Sequence, residues 1–331
     1  MIKIDHNLKT PKYKQIINSV YSAIENNLLQ KGDKLDSINT ICDKFSLSRD
    51  TVLIAFKELK AKGILTSTPG KGYYIKSINV KSGEKIFLLF DELNAFKEDL
   101  YNSFLKSLNP KSKVDIYFHH FNRDVFNSII KDNIGIYSKY VIMPATFQNF
   151  YPLLDQLNDK KLYILDQIKP EFKNRYSAVY QNFEKDVYEA LKSGTDLLKK
   201  YTKLVMVFPG GKEPKGQLRG FNKFCKDQKW ANEVIADPYE QEIQKGEVYI
   251  VPNDRHLVYL VKKINENGFV LGKDVGIISY NDTPLKEIVA GGITTISTDF
   301  KKMGDTLAQL IETKKTQQME NPSSLIIRNS L

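Results

Sequence analysis

At 331 residues, with 41% hydrophobic residues, the chain is long enough for two or more compact units, each able to bury its own core. No run of about 18 apolar residues occurs, and Met1-Ile-Lys-Ile-Asp-His6 leads straight into polar sequence. Neither a membrane span nor a signal peptide is therefore expected, and the chain reads as cytoplasmic. The net charge of +10 is lopsided: residues 1–77 carry 13 Lys/Arg and 7 Asp/Glu, an excess of 6, while the other 254 residues carry 36 and 32, an excess of 4. A basic head on a near-neutral body suits nucleic-acid binding.

In chain order, Ile16, Ile17, Val20, Ile24 and Leu28 mark a first amphipathic helix, and Lys31-Gly-Asp-Lys-Leu35 is its exit loop. From Ser37 to Lys60 the pattern predicts two short helices joined by a tight turn. Cys42 falls on a core-facing position beside Ile38, Ile41 and Phe45, so burial is expected of it rather than a disulfide with the distant Cys225 or a metal. In the second helix Val52, Ala55, Phe56 and Leu59 make one apolar stripe at i, i+3, i+4 and i+7, and Ser48 is the expected N-cap. Ser48, Arg49, Asp50 and Thr51 are thus left at the exposed N-terminal end, the part of a recognition helix that meets base edges in a major groove. Two β segments, Gly63–Ser67 and Gly72–Ile75, flank Thr68-Pro-Gly-Lys-Gly72, whose Pro-Gly pair fits a type II turn. Three helices and a hairpin make a winged helix. The glycines on either side of Lys71 would let the wing tip approach a DNA backbone.

Residues 78–84 read as a linker between a head, 1–77, and a body, 85–331. In the body, apolar runs alternate with helix-length segments: Ile86–Phe90, Val114–Phe118, Tyr140–Met143, Leu162–Leu165, Ala178–Tyr180, Leu204–Phe208, Val248–Val251 and Val275–Tyr280. That alternation predicts an α/β fold with parallel sheets, in which ligands sit beyond the carboxyl ends of the strands. The residues just after these runs, among them Asp91, Asp166, Gln181, Asn253 and Asn281, are mostly polar or small, as a site for a hydroxyl-rich molecule requires. Phe96 and Tyr180 are the aromatic candidates near strand ends.

The first 77 residues resemble the winged helix-turn-helix of the gluconate-repressor (GntR) family of bacterial transcription regulators. The resemblance rests on Pro11-Lys-Tyr-Lys-Gln-Ile16, Lys31-Gly-Asp-Lys-Leu35, Leu47-Ser-Arg-Asp-Thr-Val52, Leu59-Lys-Ala-Lys-Gly-Ile64 and Pro69-Gly-Lys-Gly72. The family's Leu-Pro-Ser-x-Arg appears as Leu35-Asp-Ser-Ile-Asn39, so Asn39 stands where an arginine often touches DNA. The DNA-facing set is Lys12, Ser37, Asn39, Ser48, Arg49, Asp50, Thr51, Lys71 and Gly72, with Lys14, Lys44 and Lys57 as further phosphate contacts.

Residues 84–331 resemble the effector core of lactose-repressor-type regulators, itself similar to periplasmic sugar-binding proteins of the two-lobed type I fold. The matching stretches are Leu271-Gly-Lys-Asp-Val-Gly-Ile-Ile-Ser-Tyr-Asn-Asp-Thr283, Thr294-Thr-Ile-Ser-Thr-Asp-Phe-Lys-Lys-Met-Gly304, Pro322-Ser-Ser-Leu-Ile-Ile-Arg328 and Val251-Pro-Asn-Asp254. The resemblance implies a ligand between two lobes joined by three crossovers, near Asn182, near Asp282 and shortly before Ser324. It makes Asn253 a ligand contact, places Asn281 where an aspartate is common, and matches Asp166 to a strand-end aspartate. Around Gln217-Leu-Arg-Gly-Phe221 the family's clamping arginine is replaced by Gln217, with Arg219 nearby.

Enzymatic signatures are lacking. Phe208-Pro-Gly-Gly-Lys-Glu-Pro-Lys-Gly-Gln217 does not spell a nucleotide loop, no Gly-x-Ser-x-Gly or His-Glu-x-x-His occurs, and His119-His120 reads as ordinary surface. The expectation is a transcriptional repressor of sugar-utilisation genes that binds a palindromic operator as a homodimer. A monosaccharide between the lobes would release it from DNA or retain it there, without cofactor, metal or membrane. The alternatives are an α/β enzyme with a regulatory head, and a DNA-binding protein whose body only dimerises or docks a partner.

Overall fold

The computed structural model describes residues 2–8, 10–78, 84–169, 172, 175–313 and 316–331; most of the expected linker, 79–83, lies outside the described residues. The chain divides into two compact units, Met1–Lys85 with Asn109–Lys113 and Ser128–Ser138, and the remainder.

The head holds α1 (Lys12–Glu25), α2 (Ile38–Phe45), α3 (Arg49–Ala61), and the antiparallel hairpin β1 (Leu65–Thr68) and β2 (Gly72–Ile75). The Ser37 side chain accepts from Thr40 N and the Ser48 side chain from Thr51 N, so each of the last two helices starts on a side-chain cap. Ser46, at φ 51° in the left-handed region, closes α2 and turns the chain toward α3. The α3 stripe, Val52, Ala55, Phe56 and Leu59, is fully buried against Ile16, Val20 and Ile41. Leu28 does not join this core: α1 ends at Glu25, the chain reverses, and Leu29 goes inside while Leu28 stays 65% exposed. Cys42 is half-buried against the same core, and Cys225 is buried in the body.

The body begins with β3 (Lys85–Phe90), α4 (Ala95–Ser107), β4 (Lys113–Phe118), α5 (Arg123–Asn133), β5 (Lys139–Ile142), α6 (Tyr151–Leu154), β6 (Leu162–Asp166) and β7 (Ser177–Tyr180), which build a first lobe. The chain crosses at Gln181-Asn182 into a second lobe. There it forms α7 (Phe183–Ser193), α8 (Thr195–Leu198), β8 (Lys203–Val207), α9 (Lys215–Gln228), β9 (Ala231–Ile235), β10 (Glu247–Val251), α10 (Asp254–Glu266), β11 (Gly276–Tyr280), α11 (Pro284–Ile288) and β12 (Thr294–Thr298). It then returns to the first lobe, where α12 (Phe300–Thr313) packs on α4 and β13 (Gln318–Glu320) pairs with β7, and crosses finally to β14 (Ser323–Ile326) beside β12.

The strand orders are β4-β3-β5-β6-β7-β13 and β9-β8-β10-β11-β12-β14, one pattern used twice. Every strand pairing defined in the second sheet is parallel except β12 with β14. The central strands are buried on both faces, which is why Ile86–Phe90 and Val248–Val251 read as continuous apolar runs. In each sheet the order reverses beside the first strand of the lobe, β3 or β8, and the carboxyl ends there open a crevice.

Two sequence expectations need correction. The second crossover falls at Asp299, not near Asp282. Asp282 is held inside the second lobe, because Arg328 grips both its carboxylate oxygens at 2.6 and 2.8 Å and Thr295 Oγ1 donates to it at 3.0 Å. His119 is not surface either: it is fully buried against Phe126 with Nε2 3.0 Å from the Met143 carbonyl, and burial lowers its pKa.

Candidate functional site

On the head, Arg49, Asp50 and Ser48 are exposed at the start of α3, beside a half-buried Thr51. The Ser37 and Ser48 hydroxyls are taken up in caps, which fixes the starts of α2 and α3. Arg49 Nη1 donates to Asn39 Oδ1 at 2.7 Å, so the residue that replaces the family arginine aims the arginine that follows it. Lys71 stands exposed at the wing tip between Gly70 (φ 72°) and Gly72 (φ 113°), the left-handed conformations a tight tip needs. Lys12 Nζ donates to the Asp5 carbonyl, tying the N-terminal segment to α1.

In the body, a cavity of about 220 Å³ lies between the carboxyl ends of the two sheets. Six of the eight expected effector residues line it: Asp91, Phe96, Asp166, Gln217, Asn253 and Asn281. Tyr180 and Arg219 do not. They line an adjoining cavity of about 790 Å³, for two local reasons. Tyr180 is the last residue of β7, whose successor Gln181 turns into the smaller cavity. Arg219 lies two residues past Gln217, more than half a turn round α9, and is held to Glu184 at 2.7 Å. Of the two residues, Gln217 is the one that lines the smaller cavity, and it is 4% exposed.

The first lobe supplies a buried ion pair, since Lys97 Nζ bonds Asp91 Oδ1 with both residues nearly inaccessible. Phe96 packs on Phe300 with the rings tilted by 32° and their centres 4.7 Å apart, and forms an apolar wall. Asp166 ends β6 at φ 75°; burial pushes its carboxyl up to about 6, and Gln181 Nε2 donates to its Oδ1. From the second lobe, Asn253 caps α10 by accepting from His256 N at 2.9 Å, and its Nδ2 meets His256 Nδ1 at 3.0 Å. Asn281 sits at φ 61°, and buried Lys286 donates to its carbonyl and to that of Tyr280 at 2.8 and 2.9 Å. Across the mouth, Lys212 reaches Glu92 at 2.8 Å and covers the Phe121 ring at 4.5 Å.

Among the described residues, five oxygens of side chains lining this cavity are buried without a hydrogen-bond partner: Gln181 Oε1, Glu213 Oε2, Gln217 Oε1, Tyr280 Oη and Asn281 Oδ1. Such groups cost about 1–3 kcal/mol each unless something satisfies them, so their convergence marks a place for a donor-bearing ligand. Lys97, Glu213 and Tyr280 were not singled out from the sequence. A signal existed for Lys97, which shares the buried face of α4 with Leu100 and Phe104, and a lysine there needs a partner. Among the described residues no cluster of His, Cys, Asp or Glu could hold a metal, and no helix is long and apolar enough to cross a membrane.

A winged helix-turn-helix joined to a two-lobed α/β cleft defines a class: DNA-binding regulators with a small-molecule pocket. Comparison with known proteins agrees. Residues 12–75 match the bacterial regulatory proteins of the gntR family, and residues 199–331 match the periplasmic binding protein-like domain. The HTH-type transcriptional repressor YtrA of Bacillus subtilis is 32% identical over 100 residues, 30% of this chain and 73% of that protein. The arabinose metabolism transcriptional repressor of Geobacillus stearothermophilus is 21% identical over 97% of both chains. Several other curated HTH-type regulators of B. subtilis are matched over 13% to 43% of their own length. Among solved structures, a LacI family transcriptional regulator from Enterococcus faecalis with bound ribose superposes with a TM-score of 0.61 at 19% identity, covering 74% of this chain and 98% of that one. The chain belongs to the gntR family of bacterial regulatory proteins and carries a periplasmic-binding-protein-like domain. It is a transcriptional regulator, as its relatives are, and not an enzyme.

Proposed function

We propose that the protein is a cytoplasmic, homodimeric repressor of sugar-utilisation genes whose operator binding is set by a monosaccharide held between the two lobes. Residues 1–77 would bind DNA, 78–84 link, and 85–331 bind the effector and dimerise. The observation that carries this reading is the set of five partnerless buried oxygens around the cavity, four of them acceptors only, because sugar hydroxyls supply the donors that such a set calls for. Phe96 on Phe300 offers a flat apolar face for a sugar ring. A dimer follows from the size of one recognition helix, which reads too few bases alone, whereas two heads one DNA turn apart double the contacts. The ligand would act through its differential affinity for open and closed lobes.

Pentoses lead the panel, given a full-length relative that represses arabinose metabolism and a fold neighbour that holds ribose. The effector should raise the melting temperature of the body, by about 2.7 kcal/mol of stabilisation at one hundred times its Kd. It should also shift the affinity for an operator selected from random DNA. Asn281→Gly keeps the left-handed backbone while deleting the carboxamide, and should abolish the sugar response but spare DNA binding. Wild-type sugar affinity in that variant, measured by calorimetry, would refute the pocket.

A further inference from the structure

The charges of the small cavity do not balance. Asp91, Glu92, Asp166 and Glu213 line it against only Lys97 and Lys212. Both lysines are committed, Lys97 to Asp91 and Lys212 to Glu92. Arg219, which would otherwise be at hand for an anion, lies in the adjoining cavity and is bound to Glu184. Among the described residues, Asp166 and Glu213 therefore line the cavity with no ion-pair partner of their own. Burial raises the carboxyl of each, that of Asp166 to about 6, by more than the nearby charges of Lys97 and Lys212 lower them.

The partnerless oxygens point the same way. Gln181 spends its Nε2 on Asp166, so its Oε1 is what remains, and Glu213 Oε2 has only acceptor capacity while ionised. An anion brings further acceptors to five partnerless oxygens of which only the Tyr280 hydroxyl can itself donate, and brings like charge to carboxylates that have no ion pair of their own. Hydroxyl or ammonium groups satisfy both at once.

We propose that this cleft admits a small polyol without negative charge, an uncharged sugar or an amino sugar, and turns away sugar phosphates and sugar acids, with Asp166 and Glu213 setting that selectivity. The inference rests on the sugar reading above and narrows it. Like-charge juxtaposition in a desolvated site costs several kcal/mol, so a phosphate ester should bind at least about 100-fold more weakly than its parent sugar.

Calorimetry on the full chain at pH 7.5 tests this with ribose, arabinose, xylose, glucose and glucosamine against ribose 5-phosphate, glucose 6-phosphate and gluconate. Binding of a free or amino sugar with loss of at least 100-fold on phosphorylation or oxidation supports the proposal, as does a gap narrowed tenfold or more in Asp166→Asn/Glu213→Gln. Glu213→Gln alone, which preserves shape, must narrow the gap in the same direction and serves if the double variant does not fold. A charged sugar that binds as tightly as its parent, or a gap unchanged in folded variants, overturns the selectivity while leaving the sugar reading in place. If no compound of either kind binds, the sugar reading itself fails and the selectivity falls with it.

Discussion

Asp166→Asn is expected to stabilise the ligand-free protein at neutral pH. Burial raises the Asp166 carboxyl from its ordinary 3.8 to about 6. At 1.36 kcal/mol per tenfold, that displacement of about two logarithmic steps means the ionised side chain costs the native state about 3 kcal/mol. The sign follows from proton binding. Between pH 3.8 and 6 the native state holds a proton that the unfolded chain has lost, so this group's contribution declines as pH rises through that window and is level above it. Asparagine carries no charge, accepts the hydrogen bond from Gln181 through its own Oδ1, and tolerates the φ of 75° that aspartate adopts here. The variant should gain about 3 kcal/mol at pH 7.5, a rise of roughly 6 °C in the melting of a body this size, and about half as much at pH 5. Thermal denaturation of both proteins at the two pH values, monitored by circular dichroism, measures the difference. Destabilisation by the variant at pH 7.5, or an equal shift at both pH values, would refute the argument that Asp166 is an ionised group held at a cost.

On the head, Arg49→Ala should lose about 1–3 kcal/mol of operator affinity. Asn39→Ala should lose less, and the double variant about as much as Arg49→Ala alone, because Asn39 acts by aiming the Arg49 guanidinium; fluorescence anisotropy with a selected operator gives all three, and additive losses would separate the two residues. In the second lobe, Gly220→Ala would set a Cβ 2.3 Å from the Glu184 carbonyl oxygen where α9 crosses α7. It should destabilise the body by about 1–3 kcal/mol, and an unchanged melting temperature would contradict that packing.

The head was the most legible part of the sequence because short-range rules govern it. Ser48 is the cap expected of it, and the stripe of Val52, Ala55, Phe56 and Leu59 is buried, as their spacing required. The parallel strands were legible for a similar reason, burial on both faces leaving continuous apolar runs. What escaped was set by distant partners. Ala231–Ile235 is an edge strand with four exposed residues and has no apolar run to reveal it. Thr294–Thr298 is fully buried yet mostly hydroxylated, its side chains satisfied by groups such as Arg328, Asp282 and Pro322. At the cleft, residue type and strand position pointed to Asp91, Asp166, Asn253 and Asn281. The separation of Gln217 from Arg219, and the pairing of Lys97 with Asp91, depend on helix rotation and on packing between segments far apart in sequence.

The three crossovers also fix an order of assembly on the ribosome. The head can close once its hairpin has emerged, since its core is drawn from the first 75 residues. The first lobe cannot: the edge of β7 at Ala178 is covered only when Gln318 arrives, about 140 residues later, a delay of roughly 7 to 28 s at ordinary synthesis rates. Until then a nascent chain carries a finished DNA-binding head on a lobe with an open strand edge, the kind of edge on which chains aggregate. Truncations that remove Gln318–Glu320 should therefore yield protein that is insoluble rather than merely unresponsive to its ligand.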